Sequence, residues 1–469
     1  YVDLKSHFPD QVFELHGKTT PKKLLATYKH TQTHAPVIVS TASFIDIPAY
    51  NKSTLVLEKD SSEYYYRAVA PHVDMRLLIE GYAHNKSIEL IVADSVLRPL
   101  RFIHEKNIQL PSPFDAEKIN IINAHTKNPK KQTDAERIAD LSEKKGFSPL
   151  SKKLKTEIQK SITNNESIFC YVQKKSLAPV MSCRDCGNIA TDPKTDTPYS
   201  MYAKTDATTG ARKKIFMNNK TGEYIDAFDV CQFCGGWRMT ALGIGTANVA
   251  DALRAEYPDI QVEIIDSFHT KNKTSIKKVL KKMNEKNNIP KILVGTQLAL
   301  PYLSDIDSSY VVSIDSLFAQ MSYTSNMRAL TLIANIYEST KNRLWIQSRN
   351  VLNTQLPEIK NMDYREFIHR ELALAKDFAI HPYGTVIKLS HICKKTDSHK
   401  TYTLYQNILC DYKPDIRIRP HTKKDFQEVQ VLLHLDKDQW NMNYQNADLS
   451  SRLPFGERNI SIQINPEVF

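Results

Sequence analysis

Two short runs, Cys183-Arg184-Asp185-Cys186-Gly187 and Cys231-Gln232-Phe233-Cys234-Gly235, repeat one pattern and oblige the chain between them to return to its starting point. Each C-x-x-C puts two thiolates on one tight turn, and the glycine behind it lets the backbone curl around a metal ion. Together Cys183, Cys186, Cys231 and Cys234 make the tetrahedral four-thiolate set of a structural zinc site. Such a set leaves no open position for water, so it predicts no catalytic role. A redox C-x-x-C and chance are the competing readings. Redox pairs normally come singly, and chance rarely repeats the trailing glycine. The stretch from Gly187 to Val230 is long for a simple ribbon. Seven cysteines in 469 residues do not form a disulfide scaffold, and Cys170, Cys393 and Cys410 read as buried small hydrophobes.

This insert, about Met181 to Met239, interrupts an alternation of strands and helices that predicts parallel sheet with helices on its faces. Pro36–Ser40, Thr54–Leu57 and Ile88–Val92 read as buried strands, with helices over Thr20–Tyr28 and His72–Ala83 between them. Ala124 to Lys145 is polar and lysine-rich, as a linker is. The alternation then resumes with Leu154–Ile162, Ile168–Val172, Ala247–Tyr257, Val262–Ile265, Ile276–Met283, Ile292–Val294, Tyr310–Ile314 and Arg343–Gln347. After Pro382 the runs Gly384–Leu389, Val429–Leu435 and Ile460–Ile464 suggest a small α+β domain. The expected organisation is a first unit over 1–123, a linker over 124–145 and a second unit over 146–180 and 241–375. The insert then spans 181–240 and the C-terminal domain 376–469.

No apolar run approaches the roughly 18 residues that span a bilayer, and no signal segment opens the chain, so a cytoplasmic location is expected. The chain begins at Tyr1, which leads us to expect that part of the N-terminus is missing. Lys and Arg outnumber Asp and Glu by 63 to 52, and this net charge of +11 favours polyanionic partners. Lysines cluster over Lys271–Lys286, where Ile276, Val279, Leu280 and Met283 form the apolar stripe of an amphipathic helix. Lys277 and Lys281 on its polar face are candidates for nucleic-acid contact, although a solvated helix face is the commoner explanation. Near the C-terminus Tyr402, Tyr405 and Tyr412 interleave with Arg417, Arg419, Lys423 and Lys424. Aromatic rings can stack bases while cations hold phosphates. Tyrosines on strands, however, are more often half-buried sheet residues. Asp315 reads as a cap of its strand-end loop in preference to a catalytic carboxylate.

The run from Cys183 through Cys234 into Leu242-Gly243-Ile244-Gly245-Thr246-Ala247-Asn248-Val249 resembles the primosomal protein N′ family of replication-restart DNA helicases. Ile292-Leu293-Val294-Gly295-Thr296-Gln297 looks like that family's motif V. Asp363-Tyr364, Phe367, Glu371-Leu372 and Pro382-Tyr383 fall where the family has an acidic-aromatic helix and a Pro-Pro-Phe. The resemblance covers nearly the whole chain and is taken to start downstream of the family's phosphate-binding loop. It implies two RecA-like parallel-sheet lobes, the first incomplete, with a zinc-binding insert in the second and a small α+β C-terminal domain. The family has eight cysteines and two zincs. This chain keeps only the outer pairs, with Asp192, Asp196 and Asn218 in the region of the inner ones, which implies one surviving Zn2+.

The ATPase motifs depart further. Gly-x-x-x-x-Gly-Lys-Ser/Thr is absent, and Gly17-Lys18-Thr19 is read as a decoy with Val12 in place of the first glycine. The family's magnesium-binding Asp-Glu-Glu-His box falls at Val56-Leu57-Glu58-Lys59, followed by Asp60-Ser61-Ser62. The arginine-bearing motif VI falls at Leu332–Ser339, which holds no arginine; Arg328 and Arg343 flank it out of register. Val56, Glu58, Leu332, Ile336 and Ser339 are therefore the expected degraded ATPase positions, with no catalytic residue and a doubtful place for ATP and Mg2+. The implied function is binding of forked or single-stranded DNA, together with replication-restart proteins and single-strand-binding protein. A working ATP-dependent helicase and a zinc-stapled protein scaffold are the rival expectations.

Overall fold

A computed structural model describes residues 2–47, 54–67, 72–104, 115, 117–123, 148–173, 180–183, 190–192, 199–205, 212–217, 223–232, 234–237, 239–242, 244–270, 272–285, 290–303, 305–315, 325–348, 364–421, 425–436, 447–454, 457 and 459–465. The chain divides into two compact units, Tyr1–Ile108 with Ser461–Asn465, and Gln109–Ile460 with Pro466–Phe469.

In the first unit, β1 (Val12–Leu15) pairs in parallel with β2 (Val37–Ser40), and β3 (Thr54–Glu58) with β4 (Glu89–Ala93). Helix α1 (Pro21–Thr31) connects β1 to β2; Thr20 caps it and Pro21 supplies the preset φ of a first helical turn. Asp74 caps α2 (Met75–Asn85), the helix between β3 and β4, by accepting from the Arg76 backbone N–H. The turn after β3 is fastened by charge. Asp60 has no exposed surface, yet its carboxylate accepts from Arg98 Nε at 3.1 Å and from Arg101 Nη2 at 2.8 Å. Arg101 also holds Glu80 at 2.6 Å, and Arg76 donates to the Asp60 carbonyl at 2.6 Å. Burial alone would push the Asp60 carboxyl up, but the two guanidinium groups outweigh it and hold it down at about 2.

The second unit is built on a six-stranded parallel sheet of order β12-β13-β6-β14-β15-β5. Its central strands β6 (Ile168–Tyr171) and β13 (Lys291–Gly295) are buried at every position, as a parallel sheet covered on both faces requires. On one face α3 (Lys152–Thr163) and α4 (Thr246–Glu256) press Leu154, Ile158, Val249 and Leu253 onto the sheet. The chain then runs from β12 (Gln261–Ile265) through α5 (Lys273–Asn284) to β13, and from β14 (Ile306–Val311) through α6 (Ser325–Glu338) to β15 (Thr340–Ser348). Lys291, buried at the start of β13, donates to the carbonyls of Lys282 and Glu285 and so ends α5.

β2, β3 and β4, read from sequence as buried strands, are exposed or half-buried except at Leu57, and three further features differ from expectation. β5 (Ile119–Asn123), placed at the end of the first unit by sequence, pairs instead with β15 in the large sheet. α6 has no counterpart in the sequence reading, which took Leu332–Ser339 only as the place of motif VI. Beyond α7 (Tyr364–Asp377), β16 (Gly384–Lys394) and β17 (Asp415–Pro420) flank β18 (Phe426–Asp436) in an antiparallel array. There α8 (Ser398–Ile408) carries Tyr402 and Tyr405, which were expected on strands. Among the described residues, no helix is long and apolar enough to cross a membrane.

Candidate metal centre and nucleotide positions

Between β6 and α4 the chain leaves the sheet through β7 (Val180–Cys183) and returns through β11 (Met239–Leu242). These two strands pair antiparallel, with Cys183 opposite Met239, and form a neck. The neck therefore presents Cys183 at its outer end, where the second cysteine pair also arrives. In that second knuckle the Cys231 N–H donates to the Gly236 carbonyl at 2.7 Å, and the Gly235 N–H to the Cys231 carbonyl at 2.9 Å. Gly235 adopts φ +71°, a left-handed conformation that a side chain would strain. The Gly236 N–H points at Cys234 Sγ from 3.4 Å, the kind of donor that steadies a thiolate.

The Sγ atoms of Cys183, Cys231 and Cys234 all lie within 4.8 Å of one another, and Cys183 and Cys234 are 3.7 Å apart. A tetrahedron with metal–sulfur bonds of about 2.3 Å has sulfur–sulfur edges of roughly 3.8 Å. The described thiolates thus fit a tetrahedral thiophilic ion; Cys186 lies outside the described residues. Past the neck, β8 (Ser200–Thr205), β9 (Arg212–Met217) and β10 (Tyr224–Asp226) form an antiparallel meander. An apolar cluster of Met181, Ala190, Tyr199 and Phe216 supports it, with Phe228 edge-on to Phe216 at 4.7 Å. Trp237, three residues after Cys234, is 78% exposed and was not singled out by sequence. Its position directly behind the Gly235-Gly236 turn was the available signal.

The nucleotide positions tell a different story. Gly17-Lys18-Thr19, read from sequence as a decoy, sits between β1 and α1 in a strand–turn–helix setting. Only residues 16–20 separate that strand from its helix, too few for the usual cradle. The turn also spends its own donors. His16 N–H donates to Thr19 Oγ1 at 2.9 Å, Lys18 N–H to His16 Nδ1 at 3.0 Å, and Thr19 N–H to the His16 carbonyl at 2.8 Å.

Val56 stands 63% exposed on the open face of β3, beside its partner Ile91 and two residues before the exposed Glu58. The next acidic residue, Asp60, is sealed among its arginines. Leu332 and Ile336, 6% and 0% exposed, belong to the buried face of α6. Packing accounts for their apolar character. Ser339 Oγ donates to the Asn335 carbonyl at 3.1 Å, at the helix end. Asp315 accepts from Ser348 Oγ at 2.6 Å, fastening the ends of two strands.

The basic candidates are separated by the fold. Lys277 and Lys281 are exposed on α5, whereas Arg417 and Arg419 lie on β17; Lys423 and Lys424 fall outside the described residues. Arg417 forms an ion pair with Asp415 at 2.6 Å, which offsets its charge. Tyr405 is buried with its hydroxyl 2.9 Å from His391 Nδ1, and burial pushes that hydroxyl up to about 12, so it is no stacking platform. Of the three remaining cysteines Cys170 and Cys393 are buried, as expected, but Cys410 is exposed.

No family model matches the chain. Individual proteins do. Replication restart protein PriA of Thermotoga maritima is 20% identical over 395 residues, covering 82% of this chain and 50% of its own length. The protein of the same name from Synechocystis sp. is 21% identical over 420 residues, covering 87% and 49% respectively. That of Haemophilus influenzae is 22% identical over 254 residues, or 52% and 33%. The chain spans about half the length of the first of these relatives.

Proposed function

We infer, from the premise that this chain is a divergent member of the PriA replication restart family, that it is a DNA-binding protein whose ATPase chemistry has been lost. In this reading the first unit and the large parallel sheet correspond to two RecA-like lobes. The insert over 181–240 hangs from the second lobe, and the antiparallel array forms a small C-terminal domain. The observation that carries the loss is the state of the first unit. Its short strand–turn–helix consumes its own N–H donors, and the exposed Val56 stands on β3 where the resemblance puts a magnesium-binding carboxylate. A turn so filled offers no nest for phosphates, and an isopropyl group offers no ligand for magnesium.

The convergence of Cys183, Cys231 and Cys234, with Cys186 as fourth ligand, supports one structural zinc. Bound zinc would close the two knuckles onto each other and contribute folding energy without taking part in a reaction. Lys277 and Lys281, and to a lesser degree Arg419, Lys423 and Lys424, would supply phosphate contacts to forked or single-stranded DNA. Replication-restart proteins and single-strand-binding protein are the expected protein partners.

The test is a metal assay alongside binding of forked DNA across a salt series. One zinc per chain and an affinity that falls steeply with salt are expected, since released counterions give phosphate contacts their salt slope. Binding that is absent at low salt would leave a protein scaffold as the better reading.

A further inference from the structure

Asp266, just beyond the end of β12, has no exposed surface, and neither the metal centre nor the nucleotide positions involve it. Several donors converge on its carboxylate. Thr246 Oγ1 donates to it at 2.5 Å, and the backbone N–H groups of Phe268 and His269 donate at 2.9 and 2.8 Å. His269 Nδ1 lies 2.9 Å away, and this imidazole, with the Thr246 hydroxyl, holds the carboxyl below its usual range despite burial.

The partners of Asp266 matter more than their number. Thr246 opens α4 and lies four residues past Leu242, where β11 brings the chain out of the insert. Phe268, on the other side, stacks obliquely on Tyr202 with ring centres 4.4 Å apart. Tyr202 belongs to β8 of the insert's meander and is only 1% exposed. One buried carboxylate therefore holds both the point where the chain leaves the insert and the loop against which the insert rests.

We propose that Asp266 is a positioning residue that seats the cysteine-bearing insert on the parallel sheet. It fixes Thr246 at the exit from the neck and aims Phe268 at Tyr202. The orientation of the insert is then set by the sheet, while the metal sets only the closure of the knuckles. Aromatic pairs and buried charge-assisted hydrogen bonds have the directionality this role requires.

Amide hydrogen exchange on the full-length chain, with metal content measured on the same samples, tests the proposal. Phe268→Ala should raise exchange in β8 and β9 roughly tenfold, the scale of one aromatic pair, while β13 stays protected and metal content stays at the wild-type value. Phe268→Tyr, which keeps the ring, should restore protection. Asp266→Ala should resemble Phe268→Ala and also expose the start of α4. In wild-type protein stripped of metal by a chelator, protection of β8 should persist. Unchanged exchange in Phe268→Ala would overturn the proposal. So would equal loosening of β13, loss of metal from Phe268→Ala, failure of Phe268→Tyr to restore protection, or collapse of β8 protection on chelation.

Discussion

The turn between β1 and α1 in the first unit and the cysteine insert of the second differ in what their polar groups face. Around residues 16–20 the His16, Lys18 and Thr19 N–H groups are bonded within the turn, and β3 carries an exposed Val56. In the insert an apolar, aromatic-rich cluster lies beneath the meander, and the described cysteines Cys183, Cys231 and Cys234 converge. The difference follows from what each group does. A structural metal stabilises the fold in which it sits, so its ligands hold independently of any reaction. Phosphate and magnesium ligands contribute chiefly to catalysis and otherwise leave costly unpaired groups. The first unit holds a balanced network in which Asp60, Asp74 and Glu80 face Arg76, Arg98 and Arg101.

The largest expected effect lies in the metal centre. Cys183→Ser, or Cys231→Ser, should take bound zinc from about one per chain to below a fifth of that by metal analysis, because three thiolates hold the ion far less tightly than four. Full retention of metal in both variants would place the site elsewhere.

Asp60 comes next. Removing one partner of a buried ion pair costs about 3–5 kcal/mol, so Asp60→Ala should destabilise the first unit by that order, read by urea unfolding. The pH dependence has a definite sign. A carboxyl held at about 2, below its ordinary 3.8, stabilises fully above that ordinary value and loses its contribution as pH falls through about 2. Acid unfolding of wild type but not of Asp60→Ala should therefore steepen below pH 4. Identical acid profiles would show that the network is not the fastening described.

Smaller effects are expected in DNA binding. Lys277→Ala with Lys281→Ala should weaken forked-DNA binding several-fold and lower the salt slope by about one per lost contact. Arg417→Ala should change little, since Asp415 already pairs with it. A larger effect of Arg417 than of the two lysines would reverse the assignment of the nucleic-acid face.

Local chemistry was legible in the sequence and distant pairing was not. The run Ile292–Val294 announced a fully buried strand, and Gly235 behind its cysteine pair announced a turn with positive φ. β5, by contrast, joins the large sheet through Leu344–Ser348, more than two hundred residues away, and no pattern in Ile119–Asn123 reveals that partner. Asp60 reads as a surface acid until Arg98 and Arg101 fold over it from 38 and 41 residues away. Gly17-Lys18-Thr19 reads as a decoy with Val12 in place of the first glycine, and its setting between β1 and α1 emerges only with the fold. Leu332 and Ile336 lie buried on α6, which an apolar residue's place in the sequence does not by itself reveal.

The measurement that bears most directly on this account is ATP turnover by the full-length protein, with and without forked DNA, beside equilibrium binding of a fluorescent ATP analogue with magnesium. The account predicts neither turnover nor nucleotide binding above background, together with salt-sensitive binding of the same fork. DNA-stimulated hydrolysis would contradict it and would show that the turn at residues 16–20 opens into a working phosphate site.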